Sequence, residues 1–135
     1  GYPDDAPRGV QAALTLYHRL AETELPFAVG RYPTSRYALL AARPRTGRRH
    51  QLRRHLKHIF HPIIGDTRHG EGRHNRFFRD ALDCRRLLLH AAELAFPHPE
   101  SGTPVRVTAP LPADLLDLLD RLGWRDTVPP AWRSA

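Results

Sequence analysis

The sequence has no methionine and one cysteine, Cys84, among 135 residues. A lone cysteine excludes an intramolecular disulfide and fits a reducing, cytoplasmic compartment. No apolar run approaches the roughly 18 residues that cross a bilayer, so no membrane partner is expected. The first residues, Gly1-Tyr2-Pro3-Asp4-Asp5, show neither the basic region nor the apolar core of a signal peptide. A chain that starts at Gly1 without methionine reads as processed, cut or excised from something longer. Lysine is almost missing as well: Lys57 stands alone beside 20 arginines. Acidic residues are in deficit, 14 against 21 cations, which leaves a net charge of +7 and disfavours acidic partners. What is present suits one soluble globular domain or part of a larger one: 41% hydrophobic and 26% charged residues.

The charge is concentrated. Between Arg43 and Arg79 lie eleven Arg or Lys and two carboxylates, Asp66 and Glu71, so this window carries +9 and the remainder −2. Six of the nine histidines fall in it. A charge run is commonly just a solvated face. Concentration on this scale favours a polyanion site, and arginine suits phosphate because its planar fork holds two oxygens at once.

Along the chain, residues 1–9 read as a flexible lead-in. Val10, Ala12, Leu14, Leu16 and His18 alternate in strand fashion, although Ala and Leu also favour helix; the balance leans to strand. Residues 25–34 form a connection, and Arg36–Ala42 a short strand closed by Arg43-Pro44. Thr46-Gly47-Arg48-Arg49-His50 opens a helix to about Ile59. On that helix Leu52, Leu56 and Ile59 share one face, and His50, Arg53, Arg54 and Lys57 share a wholly basic one. Pro62 stops the helix. Residues 67–83 are polar and irregular, with a short helix at 75–82. Leu87–Phe96 reads as a buried strand, followed by a hairpin turn at 98–102 and a strand through Val105 and Val107. Ala113–Leu122 is an amphipathic helix on which Leu115, Leu118, Leu119 and Leu122 share a face, and it is capped by Gly123. Residues 126–135 form an irregular tail. The pattern predicts an α+β domain over residues 10–125, with a mixed, mainly antiparallel sheet and helices on one side. In a chain this short such a sheet leaves an open edge and an apolar face.

Few chemistries fit the residues. His55, His58 and His61 with Cys84 make a poor zinc set, because His61 lies at the helix break and the surrounding arginines repel a cation. Cys84 has basic neighbours but no nucleophile motif. Phosphate-cradling glycine motifs and aromatic RNA-binding motifs are absent. A basic helix opening at a glycine turn remains, with its N-terminal N–H groups as a further attractor for anions. The residues by themselves point to binding of nucleic acid or a phosphate-rich ligand. They leave open whether chemistry accompanies it.

The run from Arg43 to His55, RPRTGRRHQLRRH, continues to His61-Pro62-Ile63-Ile64-Gly65-Asp66. It resembles the P-x-T-G-R-x-H-Q-I/L-R-x-H … P-I-x-G-D signature of the RluA-type pseudouridine synthases. Leu87-Leu88-Leu89-His90-Ala91, Leu94 and Phe96-Pro97-His98-Pro99 resemble that family's next block, in the same order. Finer details, including Gly65-Asp66-Thr67-Arg68-His69-Gly70 and Gly123-Trp124-Arg125, are similar to the TruC branch, which modifies tRNA. The resemblance implies the C-terminal half of a pseudouridine synthase catalytic domain. It also implies a reaction: a uridine is flipped out of RNA, its N1–C1′ bond breaks, the uracil turns, and C5 bonds to C1′. No metal or other cofactor is implied, and the implied partner is RNA, specifically tRNA. Arg53 matches the motif arginine that pairs with the family's catalytic Asp. Leu87 or Leu89 matches the apolar residue that packs on the uracil. Arg48, His50, Arg54 and Lys57 match RNA-facing positions.

The family's H-R-L-D-x-x-T-S-G block, which carries the catalytic Asp, has no counterpart. The nearest run, Tyr17-His18-Arg19-Leu20-Ala21-Glu22-Thr23, has Ala21 where the Asp would stand. The expectation is therefore a half-domain, inactive alone, that pairs with itself or with a missing N-terminal half. The competing expectation is a basic nucleic-acid-binding module without catalysis.

Overall fold

The computed structural model describes residues 11–133, so the expected lead-in at 1–9 lies outside the described residues. Strand β1, Thr15–Leu25, pairs antiparallel with β2, Ser35–Pro44. The strand alternative for the ambiguous N-terminal segment is the one adopted. The register slips between Arg19 and Ala21, where Leu20 is left unpaired, and a slip of this kind bends and twists the ribbon. Beyond it, Leu20 and Ala21, with Tyr37 and Leu39 of β2, pack on the core. Before it, Leu14, Leu16 and Tyr17 remain exposed.

Helix α1, Gln51–His58, crosses this ribbon, and Leu56 is its buried apolar contact. Helix α2, Gly72–Leu82, is longer than the predicted 75–82 because Glu71 caps it, its carboxylate accepting from His74 N at 3.0 Å. Its aromatic face packs on β2. The Tyr37 ring lies edge-on to Phe78 at 4.7 Å and parallel to Phe77 at 6.2 Å, and Tyr37 OH meets His74 Nδ1 at 2.8 Å.

The buried strand expected at Leu87–Phe96 is corrected. Pairing begins only at Glu93: β3, Glu93–Pro97, joins β4, Pro104–Thr108, in a second, separate antiparallel hairpin. Residues 87–92 have no strand beside them among the described residues. Their one backbone tie to a distant segment before Ala92 is Leu88 N to Ile64 O at 2.9 Å. An apolar run becomes a strand only where a neighbour completes its ladder. Every β3 residue is exposed, and Leu94, Phe96 and Val107 are bare apolar side chains.

Helix α3, Ala113–Leu122, buries Leu115, Leu118 and Leu119, as its 3.6-residue periodicity requires. Gly123, at φ 74°, ends it. Trp124 N reaches back to Leu119 O and Gly123 N to Asp120 O, the paired bonds of a Schellman cap. The cap folds Trp124 onto Leu119. With Val128 they form the core cluster, so part of the irregular tail is buried. The class is α+β with antiparallel pairing, divided among the described residues between two two-stranded sheets. No helix of the described residues is long and apolar enough to cross a membrane.

Candidate functional site

The site is assembled on the turn before α1, on α1 itself, and on the 62–70 segment. Thr46 and Gln51 anchor the turn. Leu14 N donates to Thr46 Oγ1, Thr46 Oγ1 donates to Gln51 Oε1 at 2.6 Å, and Gln51 Nε2 donates to Leu14 O at 2.9 Å. Gln51 is buried; its Nε2 ties α1 to the start of β1 through Leu14 O and Thr15 Oγ1, and its Oε1 holds the turn by accepting from Thr46 Oγ1 and Arg48 N. His50, just before the helix, sits in the left-handed region at φ 52°, an uncommon conformation for a non-glycine residue.

Arg53 projects from α1 onto Asp66. Its Nε donates to Oδ2 at 2.8 Å and its Nη2 to Oδ1 at 2.7 Å, a bidentate fork. Asp66 is 1% exposed. Its Oδ1 also accepts from the backbone N of Arg68 and of His69, at 3.0 and 2.9 Å. The Arg53 hydrogen bond is the main reason the Asp66 carboxyl lies well below the usual carboxylate range; burial opposes the shift and the two backbone N–H groups add to it. The same bond raises Arg53.

Two glycines make this arrangement possible. Gly65 is at φ 85°, and a Cβ there would lie 2.0 Å from Arg86 O and 2.8 Å from Leu87 Cα. A Cβ on Gly70 would lie 2.1 Å from Asp66 O. The close passage at Gly65 sets Leu87 against the turn that carries Asp66. Asn75 of α2 locks that turn, accepting from Gly65 N at 2.8 Å and donating to Asp66 O at 3.0 Å.

His50 and His69 complete a ring. Arg53 Nη1 lies 3.5 Å from His50 Nε2, and His50 Nδ1 lies 3.1 Å from His69 Nε2. The two imidazoles meet edge to face at 5.3 Å. Burial, then the charges of Arg53 and Arg49, hold His50 below its ordinary value. His69 is also lowered, by burial first, with Asp66 opposing and Arg53, Arg68 and Lys57 adding to it.

The residues singled out from sequence thus fall into three groups. Arg53 and His50 belong to the ring built on the buried Asp66, and both are half-buried. Arg54 and Lys57 stand exposed on α1. Arg48 is half-buried and donates its Nε to Ala12 O at 3.1 Å. Leu87 lies against the Asp66 turn, whereas Leu89 is 37% exposed and lines an open apolar groove of about 900 Å³ with Leu52, Ile63, Ile64 and Leu88. Sequence reasoning assigned no role to Gln51, His69 or Asn75. The spacing of Asp66 to His69 was a usable signal, since Asp side chains capture backbone N–H groups two and three residues on. Among the described residues no three His, Cys, Asp or Glu side chains converge as a metal site. His55 Nδ1 is instead 2.7 Å from Thr15 Oγ1.

No protein-family model matches the chain. Individual relatives do. The chain is 50% identical over 127 residues to tRNA pseudouridine synthase C of Pectobacterium carotovorum, a match covering 94% of the chain and 33% of the relative. It is 48% identical over 118 residues to tRNA pseudouridine synthase C of Vibrio cholerae, covering 87% and 48%. It is 45% identical over 121 residues to tRNA pseudouridine synthase C of Haemophilus ducreyi, covering 90% and 50%. The chain therefore spans a third to a half of the length of these curated relatives.

Proposed function

The chain is a homologue, over nearly its whole length, of part of the tRNA pseudouridine synthase C proteins, and on that premise we propose that it forms the C-terminal half of a cytoplasmic pseudouridine synthase acting on tRNA. In this reading the complementary half supplies the catalytic carboxylate. A uridine enters flipped out of the RNA, its N1–C1′ bond breaks, and a C5–C1′ bond forms as the C5 proton leaves and N1 gains one. The exposed cations Arg54 and Lys57 offset part of the cost of extrusion by holding phosphates.

One observation carries the assignment of Arg53. Guanidinium has five N–H donors. Two of those of Arg53 go to Asp66 and one to His50, so two remain, on a side chain 20% exposed. Asp66 holds the guanidinium rigid, and the free donors suit a second carboxylate brought by the complementary half. Leu87, against the Asp66 turn, is the residue we assign to the uracil ring, and Leu89 faces the groove. That groove, with residues 87–92 lacking a strand neighbour among the described residues, is the surface on which we place the complementary half.

Release of tritium from C5-labelled uridine in tRNA tests this reading. The 135-residue chain alone gives none. Addition of the separately produced N-terminal portion of a full-length relative restores it. Turnover by the chain alone overturns the assignment of the missing carboxylate. Failure of complementation, with no association between the two pieces, overturns the half-domain reading and leaves a basic RNA-binding module. Light scattering separates pairing with the complement from self-association.

A further inference from the structure

The ring Asp66–Arg53–His50–His69 has a direction. Arginine donates and never accepts. Arg53 Nη1 therefore donates to His50 Nε2, which must carry a lone pair. The single proton of neutral His50 then sits on Nδ1 and is donated to His69 Nε2. His69 Nε2 is in turn an acceptor, so the His69 proton sits on Nδ1. The ring closes through the backbone, where His69 N donates to Asp66.

His69 Nδ1 has no hydrogen-bond partner among the described residues, and it is not one of the buried polar atoms left without one. It therefore reaches solvent. Arg49, Arg53, Arg68 and Lys57 are the cations that bear on this ring, and Asp66 is the opposing carboxylate. Protonating His69 would set its Nε2–H against the Nδ1–H of His50. Protonating His50 would set its Nε2–H against the guanidinium. Both imidazoles are neutral while the ring is intact.

We propose that His69 is an RNA-contacting residue, donating its Nδ1–H in the neutral form to a backbone phosphate oxygen. The proposal rests on the RNA reading above. Both ring nitrogens of His50 are occupied inside the protein, so the contact that the sequence placed at His50 passes one residue along the ring, to His69. The surrounding cations gather phosphate without orientation, whereas a neutral N–H held by a closed ring adds a directional bond. His69 is fixed in place, through its backbone N–H, by the same Asp66 that fixes Arg53.

The experiment has two arms on the full 135-residue chain. The first is nitrogen-15 NMR of the histidine rings at pH 7.5, without RNA. The expected result is a proton on Nδ1 and a bare Nε2 at both His50 and His69; a proton on Nε2 of either overturns the proposal. The second is tRNA binding by His69→Gln, whose amide oxygen can replace Nε2 as the acceptor for His50 while the Nδ1–H donor is lost. Affinity should fall about fivefold, the value of one ordinary hydrogen bond, with an unchanged slope of log affinity against log salt. Lys57→Gln should instead lower that slope by about one unit, as loss of a phosphate-neutralising charge does. Unchanged affinity in His69→Gln, or a slope lowered by about one unit, overturns a neutral contact at His69. No tRNA binding by the wild-type chain overturns the RNA reading and this site together; normal wild-type binding with an unaffected variant overturns this site alone.

Discussion

The basic turn around α1 and the apolar groove with the β3–β4 hairpin are opposites in construction. The turn is closed. Asp66 collects four hydrogen bonds, Gln51 fastens helix to strand, and Asn75 fastens turn to helix. The groove is open. Residues 87–92 run without a strand neighbour among the described residues, Leu94 and Val107 are more than half exposed, and Phe60 is 90% exposed. The difference teaches which part of the molecule is finished. A buried polar network must be satisfied within the chain, because a half-satisfied one costs more than an apolar core. An apolar surface can wait for a partner, since exposing it costs in proportion to area and violates no hydrogen bond.

The sharpest way to break the comparison is to open the closed region. Arg53→Ala leaves the buried Asp66 carboxylate without its partner and should cost roughly 3–5 kcal/mol in denaturant unfolding. A loss below about 1 kcal/mol would show that the ring is not a structural unit.

Gly65→Ala comes next. A left-handed φ together with a Cβ clash on the 86–87 backbone should cost roughly 2–4 kcal/mol. Loss of the near-ultraviolet circular dichroism of the aromatic α2–β2 contact would accompany it if the turn and α2 are coupled through Asn75.

Acid sharpens the same contrast. Asp66 is depressed in the folded state, so its contribution is fully present above its unfolded value of about 3.9. That contribution is lost as pH falls from there toward the lower folded value. Stability should therefore drop below about pH 4, and Asp66→Asn should flatten that part of the profile. An unchanged profile in Asp66→Asn would place the acid sensitivity elsewhere.

The smallest effect is expected in the open region. Leu94→Ser with Val107→Thr should change stability by no more than about 0.5 kcal/mol, the range of ordinary surface substitutions. The pair should weaken association with a complementary half or a second copy, as read by sedimentation. A destabilisation of about 2 kcal/mol or more would mean that the hairpin face is already covered within the chain.

Much of this was legible in local pattern. Helices α1 and α3 follow from apolar spacing, Gly123 from the need for a left-handed cap, and the 98–102 turn from Pro and Gly beside alternating residues. Local pattern failed at 87–92. An apolar run reads the same whether its neighbour strand is present or not, and here none is present among the described residues. The burial of Val128 was hidden too, because it depends on the Schellman cap folding the tail over α3. At the site, the sequence marked Arg53 as needing a carboxylate. It did not show that Asp66, 13 residues on, already holds it.

The sequence by itself determined the concentration of charge, the helix faces, the turns and the resemblance to a synthase lacking its Asp block. These depend on residue type and short spacing, and local sterics and periodicity suffice to read them. Only the tertiary structure decided that Arg53 is shared between Asp66 and His50, that both ring nitrogens of His50 are occupied, and that His69 Nδ1 has no partner among the described residues. Hydrogen bonds between distant residues have direction and a reach of about 3 Å, and neither can be read until the chain has folded the two residues together.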